Sequence, residues 1–420
     1  MKPRLEDEGE GQVRGAARVT QVKGRPRPAQ RAGRAAPGRA PDPPRQSAAR
    51  RYMQRPLRWA VVGMGHFAQT HVLPAFRARG AGELRFIVTE DPTKARALSR
   101  AYDTEAIDYD HLESMLRSDE VDVVYVTVPN HRHRELTVRA LRAGKHVLCE
   151  KPMAVSVREC REMAQAAEEA GVKLMIGYRL HFEKANLAAV DLIRAGRLGE
   201  PRFFSSAFSF QVEPDNVRTL PTHEGGGVLY DVGVYCINAA RSLFGEEPVC
   251  ATAVSASRPG DGRFEDNPEQ VSAVLEFPEG KLASFVVSFG AASVNFYTVA
   301  GTEGSLSLEP AYSLASPMHL VMTTRKGRNV NRRIDKHDQV AAELVYFNEC
   351  IRDDVEPEPS AEEGIADVAI VEAILRSARE GRPIPLGLSP RKHPTGAQAR
   401  QRRAPAKTPK VVSASGPGSS

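Results

Sequence analysis

Two short stretches carry side chains that could move a proton at an alcohol or carbonyl group. One is the E-K-P tripeptide at 150–152, and the other is a glycine-rich stretch at 225–235 that contains Asp231 and ends at Tyr235. The Lys151 ammonium could stabilise a developing alkoxide or depress the pKa of a neighbouring acid. A tyrosine phenol near such an ammonium can give or take the proton of the reacting oxygen.

Each stretch also has an ordinary structural interpretation. E-K-P consists of three common residues and fits a surface turn, although a cis peptide bond before Pro152 would aim Lys151 into a site. Asp231 and Tyr235 lie four residues apart, so a helix would place them on one face. That helix could equally contain one buried tyrosine and one capping or surface aspartate.

A dinucleotide-binding pattern precedes both stretches. Gly63-x-Gly65-x-x-Ala68 follows the apolar run at 57–62 directly and opens a helical pattern that extends to about residue 79. The first glycine permits a tight turn, and the second lets backbone N–H groups approach a pyrophosphate. The small third residue lets the helix pack closely on the strand. The flanking strand and helix favour a dinucleotide site over a merely glycine-rich turn.

The residues after the second predicted strand bear on the choice between NAD and NADP. Thr89 and Lys94 favour a ribose 2′-phosphate, whereas the acidic side chains of Glu90 and Asp91 disfavour it. Asp91 could instead simply cap the next helix. The balance tips slightly toward NADP, and NAD stays open.

Up to residue 178, apolar runs alternate with helical patterns. Such alternation makes βαβ units and predicts a Rossmann-type, doubly wound parallel sheet. Gly144 is expected to end one of the helices in a left-handed conformation. Strands are predicted at 57–62, 84–89, 121–128, 146–149 and 173–176, with helices at 92–102, 132–143 and 157–170.

Beyond about residue 199 the pattern changes to shorter segments that alternate in polarity. They predict a C-terminal α/β domain with a large, mostly antiparallel sheet and one open face. A turn at 278–281 is expected to join two of its strands in a hairpin. Strands are predicted at 202–210, 249–257, 271–277, 282–289 and 293–300, with helices at 226–243, 339–352 and 362–379.

Charge is distributed unevenly along the 420 residues. The net charge of +6 combines +9 from residues 1–55, +7 from residues 388–420 and −10 from the part between them. We therefore predict a disordered basic extension over 1–55 and a disordered basic tail over 388–420. The predicted domains are 56–178 for dinucleotide binding and 179–387 for substrate binding and oligomerisation. The overall basicity is no argument for a specific nucleic-acid partner.

The compartment can be inferred from apolar runs and cysteines. No apolar run approaches the roughly 20 residues that a membrane helix needs, and no secretory signal is evident. The five cysteines are scattered without C-x-x-C pairing, which is typical of reduced thiols rather than a disulfide frame or a zinc site. We expect a cytoplasmic protein without a metal or a membrane partner.

Several motifs, in this order, resemble the glucose–fructose oxidoreductase/inositol dehydrogenase (Gfo/Idh/MocA) family. The resemblance extends from about residue 57 to residue 385. The tyrosine at 235, where many members have histidine, is similar to the glucose–fructose oxidoreductase branch, whereas Val217 replaces a tryptophan usual in that branch. The motifs are V-G-M-G at 62–65, P-N-H-R-H at 129–133, A-G-K-H-V-L-C-E-K-P-M at 143–153, L-M-I-G-Y-R at 174–179 and the stretch 225–235.

The resemblance implies roles for residues along the whole body of the chain. It also implies that the open sheet often forms an oligomer interface, so we expect a homo-oligomer, either a dimer or a tetramer. The expected catalytic residues are Lys151, Tyr235 and Asp231. The expected substrate-binding residues are Tyr178, Arg218, Asp231 and Tyr235. The expected cofactor-binding residues are Gly63, Gly65, His66, Phe67, Ala68, Thr89, Lys94, Pro129, Asn130, His133, Glu150, Lys151 and Arg179.

The expected activity is hydride transfer between a sugar or polyol hydroxyl or carbonyl and the nicotinamide of NAD or NADP. In this hypothesis Tyr235 takes the hydroxyl proton, Lys151 lowers the pKa of that phenol, and Asp231 positions the substrate. One alternative is an NAD-dependent glycosidase of the same fold, which would return its cofactor unchanged. Another is a non-catalytic dinucleotide sensor, against which the joint presence of Lys151, Asp231 and Tyr235 argues.

Overall fold

The computed structural model describes residues 55–327, 329–390 and 410–414. Apolar residues on both faces of its first strands suit a sheet that is covered on both sides. These strands are β1 (Arg58–Val62), β2 (Glu83–Val88), β3 (Glu105–Ile107), β4 (Val123–Val126), β5 (His146–Glu150) and β6 (Leu174–Gly177). Within the described ranges they form a six-stranded sheet in the order β3-β2-β1-β4-β5-β6, with every neighbouring pair parallel. The predicted doubly wound parallel sheet is confirmed.

The helices that connect these strands follow the predicted pattern with two differences. The first helix is shorter than expected. It opens as a π-helical turn, and it ends at Ala75 rather than near residue 79. Strand β3 and one short helix were not predicted. The helices are the π-helical Ala68–Val72, α1 (Leu73–Ala75), α2 (Pro92–Tyr102), α3 (Leu112–Arg117), α4 (His133–Arg142) and α5 (Val157–Ala170). Gly144, just beyond α4, has a φ of +75° as expected for a helix-ending glycine.

The second sheet is mostly antiparallel. Its strands are β7 (Pro201–Ser209), β8 (Cys250–Ala256), β9 (Gln270–Glu276), β10 (Leu282–Ser288), β11 (Val294–Gly301), β12 (Gly304–Glu309), β13 (Met318–Thr324), β14 (Val330–Ile334) and β15 (Ile384–Pro385). In the part of the chain that the structure describes, their order is β14-β13-β12-β11-β7-β10-β9-β8-β15, and only β7 and β10 pair in parallel. The predicted hairpin is present, since the Phe277 amide donates to the Lys281 carbonyl. The fold class is therefore as predicted.

The remaining helices pack on one side of this second sheet, except for α8, which packs on the first sheet. They are α6 (Lys184–Arg194), which was not predicted, the π-helical Leu229–Gly233, α7 (Val234–Phe244), α8 (Gln339–Asp353) and α9 (Ala361–Glu380). Short 3₁₀ turns lie at Tyr109–His111, Asn130–Arg132, Arg179–Phe182, Val217–Thr219, Thr222–Glu224, Gly262–Phe264 and Pro278–Gly280. Among the described residues, no helix is both long and apolar enough to cross a bilayer.

Helix α8 packs on the parallel sheet although it follows the antiparallel strands in the chain. Trp59 of β1 is fully buried, and its indole Nε1 donates to Asn348 Oδ1 of α8 at 3.1 Å. The Trp59 ring also meets Phe347 edge-on, with centroids 6.1 Å apart. One face of the first sheet is thus covered by a segment nearly 290 residues away, and α8 brings its own N-terminus close to the ends of the parallel strands.

A buried cation joins α7 to α9. Arg241 is 1% exposed and pairs with Glu247 and Asp367, each with an N–O distance of 2.5 Å. Asn238, one turn earlier in α7, donates to Asp367 as well. The carboxylates outweigh the effect of burial and raise the pKa of Arg241 well above its usual value. Because α7 follows the glycine-rich stretch directly, this group fixes the helix that presents Tyr235.

Most of the two basic ends lies outside the described residues. This includes residues 1–54, 391–409 and 415–420, and hence nearly all of the two segments predicted to be disordered. The short segment Lys410–Ala414 of the predicted tail is described, and it hydrogen-bonds to Gln69.

Replacing Arg241 by alanine is expected to lower the free energy of unfolding by about 3–5 kcal/mol, because it leaves buried carboxylates without their cation. Trp59, the single tryptophan, is buried and reports unfolding by fluorescence in urea. Arg202, on the sheet surface, is the control: Arg202→Ala should change stability by no more than about 0.5 kcal/mol. Equal losses in both variants would contradict the assigned role of Arg241.

Candidate active site

The fingerprint loop has the backbone that a pyrophosphate requires. Gly63 has a φ of +99°, and a Cβ there would lie 2.8 Å from the Thr127 carbonyl oxygen, so only glycine fits. Gly65 is exposed, and a Cβ added to it would meet nothing within 4 Å. The second glycine therefore faces open space at the start of the first helix, where backbone N–H groups favour an anion. The residues present fit a bound dinucleotide.

Other predicted cofactor residues lie at the same edge of the parallel sheet. His66 and Phe67 are half-buried at the start of the first helix. Thr89, which follows β2, is buried, and its hydroxyl accepts from the Asp91 amide. Asp91 caps α2 by accepting from the Thr93 and Lys94 amides, which is the simpler of its two predicted roles. Its carboxylate also lies 4.0 Å from the Lys94 ammonium.

The loop after β4 contacts the glycine-rich stretch. The Asn130 side chain donates to the Gly225 carbonyl oxygen at 2.6 Å, while the preceding residue, Pro129, is exposed. Gly225 has a φ of +88°, and a Cβ there would lie 2.6 Å from the Asn130 Cβ. The P-N-x-x-H loop and the stretch 225–235, which are distant in sequence, therefore pack against each other at a glycine.

Asp231 binds two cations that come from different parts of the chain. The Lys151 ammonium lies 3.0 Å from Oδ1 and also donates to the Asp231 carbonyl oxygen at 2.8 Å. The Arg218 Nε donates to Oδ2 at 2.5 Å. Burial alone would raise the pKa of Asp231, but the two cations outweigh it and hold that pKa well below its usual range. Burial would lower the pKa of the Lys151 ammonium, but the negative charge of Asp231 outweighs it and raises that pKa.

The phenol of Tyr235 is held by a third cation. The Arg179 Nε donates to the Tyr235 oxygen at 3.0 Å, and the guanidinium carbon lies 4.7 Å from the ring centroid. Lys151 approaches the ring face instead, with its ammonium 4.8 Å from the centroid. The structure thus brings Lys151, Asp231, Arg218 and Tyr235 together as predicted, and it adds Arg179 as the cation at the phenol oxygen.

Arg179 itself has little freedom to move. It is 5% exposed, and its two terminal nitrogens donate to Gln339 Oε1 at 2.9 Å and to the Tyr312 carbonyl oxygen at 2.7 Å. The Tyr312 ring stacks on Phe208, which also packs edge-on against Tyr235. Sequence reasoning missed Gln339, Tyr312 and Phe208, because nothing in their local sequence links them to Tyr235.

A buried carboxyl pair lies behind Lys151. Tyr125 donates to Glu150 Oε1 at 2.6 Å and is 3.4 Å from Glu343 of α8, which is fully buried. Burial raises the pKa of Glu150, against the opposing effects of the Tyr125 hydrogen bond and the Lys151 charge. Burial raises the pKa of Glu343 well above its usual value, and the charge of Glu150 adds to this effect. Glu150 is therefore held by Tyr125 directly before Lys151 in the chain. Glu343 is a residue of this group that the sequence did not predict.

Two predicted site residues have buried positions. The ring nitrogens of His133 lie 2.8 Å from the Pro152 carbonyl and 2.9 Å from the Val128 carbonyl, so this side chain braces the Lys151 loop. Burial lowers the pKa of His133 to about 4, although these two hydrogen bonds oppose the shift. Tyr178 is 3% exposed and lies beside Asp367 in the Arg241 group, and its role in substrate binding stays a prediction.

The Lys151–Pro152 peptide bond is cis, which is one of the conformations considered for the E-K-P tripeptide. The loop after β4 also joins the fingerprint to the glycine-rich stretch, because the Thr127 hydroxyl donates to the Gly63 carbonyl oxygen and Asn130 donates to that of Gly225. A dinucleotide loop beside a phenol and two cations defines a nicotinamide-dependent oxidoreductase site.

Comparisons with known proteins agree with this class. Residues 57–178 match the description "Oxidoreductase family, NAD-binding Rossmann fold", and residues 186–307 match "GFO/IDH/MocA C-terminal domain". The chain is 30% identical over 331 residues to D-xylose 1-dehydrogenase [NADP(+)] of Haloarcula marismortui, covering 77% of this chain and 91% of that protein. The chain therefore belongs to the Gfo/Idh/MocA family of oxidoreductases.

Two solved structures are similar along nearly their whole length. The aldose–aldose oxidoreductase of Caulobacter crescentus, complexed with glycerol, is 36% identical with a TM-score of 0.76, covering 79% of this chain and 100% of that chain. A 3-ketoreductase of Actinomadura kijaniata, in complex with NADP and TDP-benzene, is 27% identical with a TM-score of 0.69, covering 77% and 98%. The predicted family, fold class and NAD(P)-dependent oxidoreductase activity on sugar or polyol groups are confirmed at the level of the family.

Gly225→Ala is expected to lower the free energy of unfolding by about 2–5 kcal/mol, since it adds a side chain both in a left-handed conformation and against Asn130. Gly245 offers a matched control, because it has a φ of +72° but a Cβ there would meet nothing within 4 Å. Gly245→Ala should cost only about 1–2 kcal/mol. Urea unfolding measures both, and similar losses would refute the packing argument.

Proposed function

We propose that the protein oxidises a hydroxyl of an aldose or related polyol, or reduces the corresponding carbonyl, with Tyr235 exchanging the proton of the reacting oxygen. The observation that carries this proposal is the position of the Tyr235 phenol, which is half-buried and lies between Arg179 and Lys151. When bound, the nicotinamide supplies or accepts the hydride at the carbon of the same group.

The contact from Arg179 determines how Tyr235 can act. Because Arg179 donates to the phenol oxygen, the hydroxyl hydrogen of Tyr235 remains available to a substrate oxygen. In the oxidative direction the substrate hydroxyl gives its proton to the Tyr235 oxygen, and Arg179 and Lys151 stabilise the anionic form that receives it. In the reductive direction Tyr235 returns that proton to the new alkoxide. The anchors of Arg179 make this arrangement rigid before the substrate binds.

Asp231 is suited to bind a neighbouring substrate hydroxyl. Each of its oxygens accepts from one cation, and a carboxylate oxygen has capacity for a second donor. Arg218 is partly exposed and can contact the same substrate. A polyhydroxylated ligand meets such requirements, and the named relatives act on xylose or on aldoses. These observations support a sugar or polyol as the substrate.

NADP is the cofactor that we propose. Thr89 directly follows β2 and Lys94 lies in the first turn of α2, at the edge of the sheet where a 2′-phosphate would be recognised. Support also comes from the xylose dehydrogenase, named for NADP, and from the 3-ketoreductase, solved with NADP. We further propose a cytoplasmic location, with which the free cysteines at positions 149, 160, 236, 250 and 350 agree.

We also propose that the open face of the second sheet joins two or more copies of the chain. Phe203 and Leu282 are cross-strand neighbours on β7 and β10, and both are exposed. Val286 and Val254 occupy a second row, each opposite Ser272, and they are exposed as well. Several exposed apolar side chains on one sheet face are typical of a protein interface.

Tyr235→Phe is expected to lower kcat about 10²–10⁴-fold, because it removes the group that exchanges the proton. The assay follows reduced-nicotinamide absorbance with NAD and NADP across a panel of aldoses and polyols. Nicotinamide fluorescence should show that the variant still binds the cofactor. NADP should give the higher kcat/KM.

Tyr230→Phe is the matched control, since that phenol donates to the Val155 carbonyl in the core rather than facing Arg179. Its kcat should stay within about twofold of the unmodified protein. Full activity of Tyr235→Phe would eliminate the proton-exchange role. Cleavage of glycosides without net nicotinamide reduction would point to the glycosidase alternative.

The double variant Leu282→Asp/Val286→Asp should dissociate the oligomer to the 45.9 kDa single chain, because it places charges in the apolar rows. Light scattering after size-exclusion chromatography measures the mass. Val355→Asp, at an exposed valine outside both sheets, should leave the mass unchanged. A single-chain mass for the unmodified protein would contradict the proposed interface.

A further inference from the structure

A short segment of the basic C-terminal tail is bound beside the fingerprint. The Val412 amide donates to Gln69 Oε1 at 2.7 Å, and Gln69 Nε2 donates back to the Val412 carbonyl oxygen at 2.9 Å. Gln69 is fully buried and also donates to the Met64 carbonyl oxygen within the fingerprint at 3.0 Å. The paired hydrogen bonds imitate those between two strands, so the tail backbone is fixed directly next to the loop that faces the pyrophosphate.

The next residue of the same segment reaches the ribose side of the site. The Ser413 side chain lies beside the Asp91 carboxylate, at the N-terminus of α2, and helps the Lys94 and Thr93 amides to lower the pKa of that carboxyl. Ser413 has a φ of +47°, and this left-handed conformation turns the chain just after Val412, which is bound to Gln69. The segment Lys410–Ala414 therefore extends from the first helix to the β2–α2 loop. These two elements border the adenosine half of a dinucleotide in this fold.

We propose that Lys410–Ala414 is a strap over the adenosine half of the cofactor site and that it slows dissociation of the dinucleotide. The inference rests on the proposed use of NADP. The strap covers a side of the site that the strands and helices of the first sheet leave open. It contacts Gln69 through Val412 and Asp91 through Ser413.

The contacts favour retention of the cofactor over its exclusion. The strap hydrogen-bonds to the Gln69 side chain and lies beside Asp91, which leaves the exposed backbone at Gly65 open for a phosphate. The strap also has the right charge, because it carries the exposed cation of Lys410 and no acidic side chain. A cationic segment beside the site attracts the phosphates of NADP and opposes their departure.

The strap is also encoded in the tail sequence. Val411 and Val412 are adjacent branched apolar residues in a stretch that otherwise consists mainly of Lys, Arg, Pro, Ser, Thr, Gly and Ala. Both are partly buried, as is Ala414, whereas Lys410 and Ser413 are exposed. Burial of these small apolar side chains favours binding of the segment to the surface that it covers.

The experiment compares two truncations of the full chain. One ends at residue 409 and removes the strap, and the other ends at residue 414 and keeps it. Dissociation of NADPH is followed by the loss of nicotinamide fluorescence after mixing with excess NADP in a stopped-flow instrument. Loss of the two hydrogen bonds between Val412 and the Gln69 side chain, and of the contact between Ser413 and Asp91, should raise the dissociation rate roughly tenfold or more in the shorter chain. The longer truncation should stay within about twofold of the full chain.

A point variant separates the strap contacts from the loss of chain length. Val412→Pro in the full chain removes the amide that donates to Gln69, and it should raise the dissociation rate by about threefold to tenfold. Trp59 fluorescence verifies that every variant is folded. Equal dissociation rates in the two truncations, or slower dissociation without the strap, would overturn the proposal. If the full chain binds neither NADPH nor NADH, the proposed function fails instead.

Discussion

The site depends on one carboxylate. Asp231 accepts from Lys151, at the end of the parallel sheet, and from Arg218, in the segment between β7 and the glycine-rich stretch. Either cation alone would be costly to bury, and the carboxylate without them would be protonated or displaced. Their mutual attraction fixes the end of β5 against the second half of the chain, and so it brings the fingerprint and Tyr235 to one place.

The remaining contacts position this group. Arg179 donates one hydrogen bond to the Tyr235 phenol, and its two terminal nitrogens donate to Gln339 and to the Tyr312 carbonyl oxygen. Gln339 opens α8, which is itself fixed to β1 by Trp59. The Tyr235 phenol is therefore connected through one guanidinium to the helix that covers one face of the first sheet. Such preorganisation suits hydride transfer, in which protein dipoles and charges must already be in place when the charge develops.

Several elements could not be predicted because their local signals are weak. Strand β3 has three residues, and α3 has six, which is too short for a clear hydrophobic period. Strand β14 lies at the sheet edge with charged, exposed residues, and such a strand lacks the apolar alternation that marks β9 or β10. The π-helical turns at the starts of the first helix and of α7 also have no recognisable sequence pattern.

The sequence by itself determined the residues whose function depends on local spacing. The glycines of the fingerprint, the E-K-P lysine and the four-residue separation of Asp231 and Tyr235 each act within one turn or one loop, so their order in the chain is sufficient. Only the tertiary structure decided which charge meets which oxygen. Lys151 pairs with Asp231 and Arg179 with the phenol, His133 braces a loop, and Val412 reaches Gln69, because each of these partners comes from a distant segment.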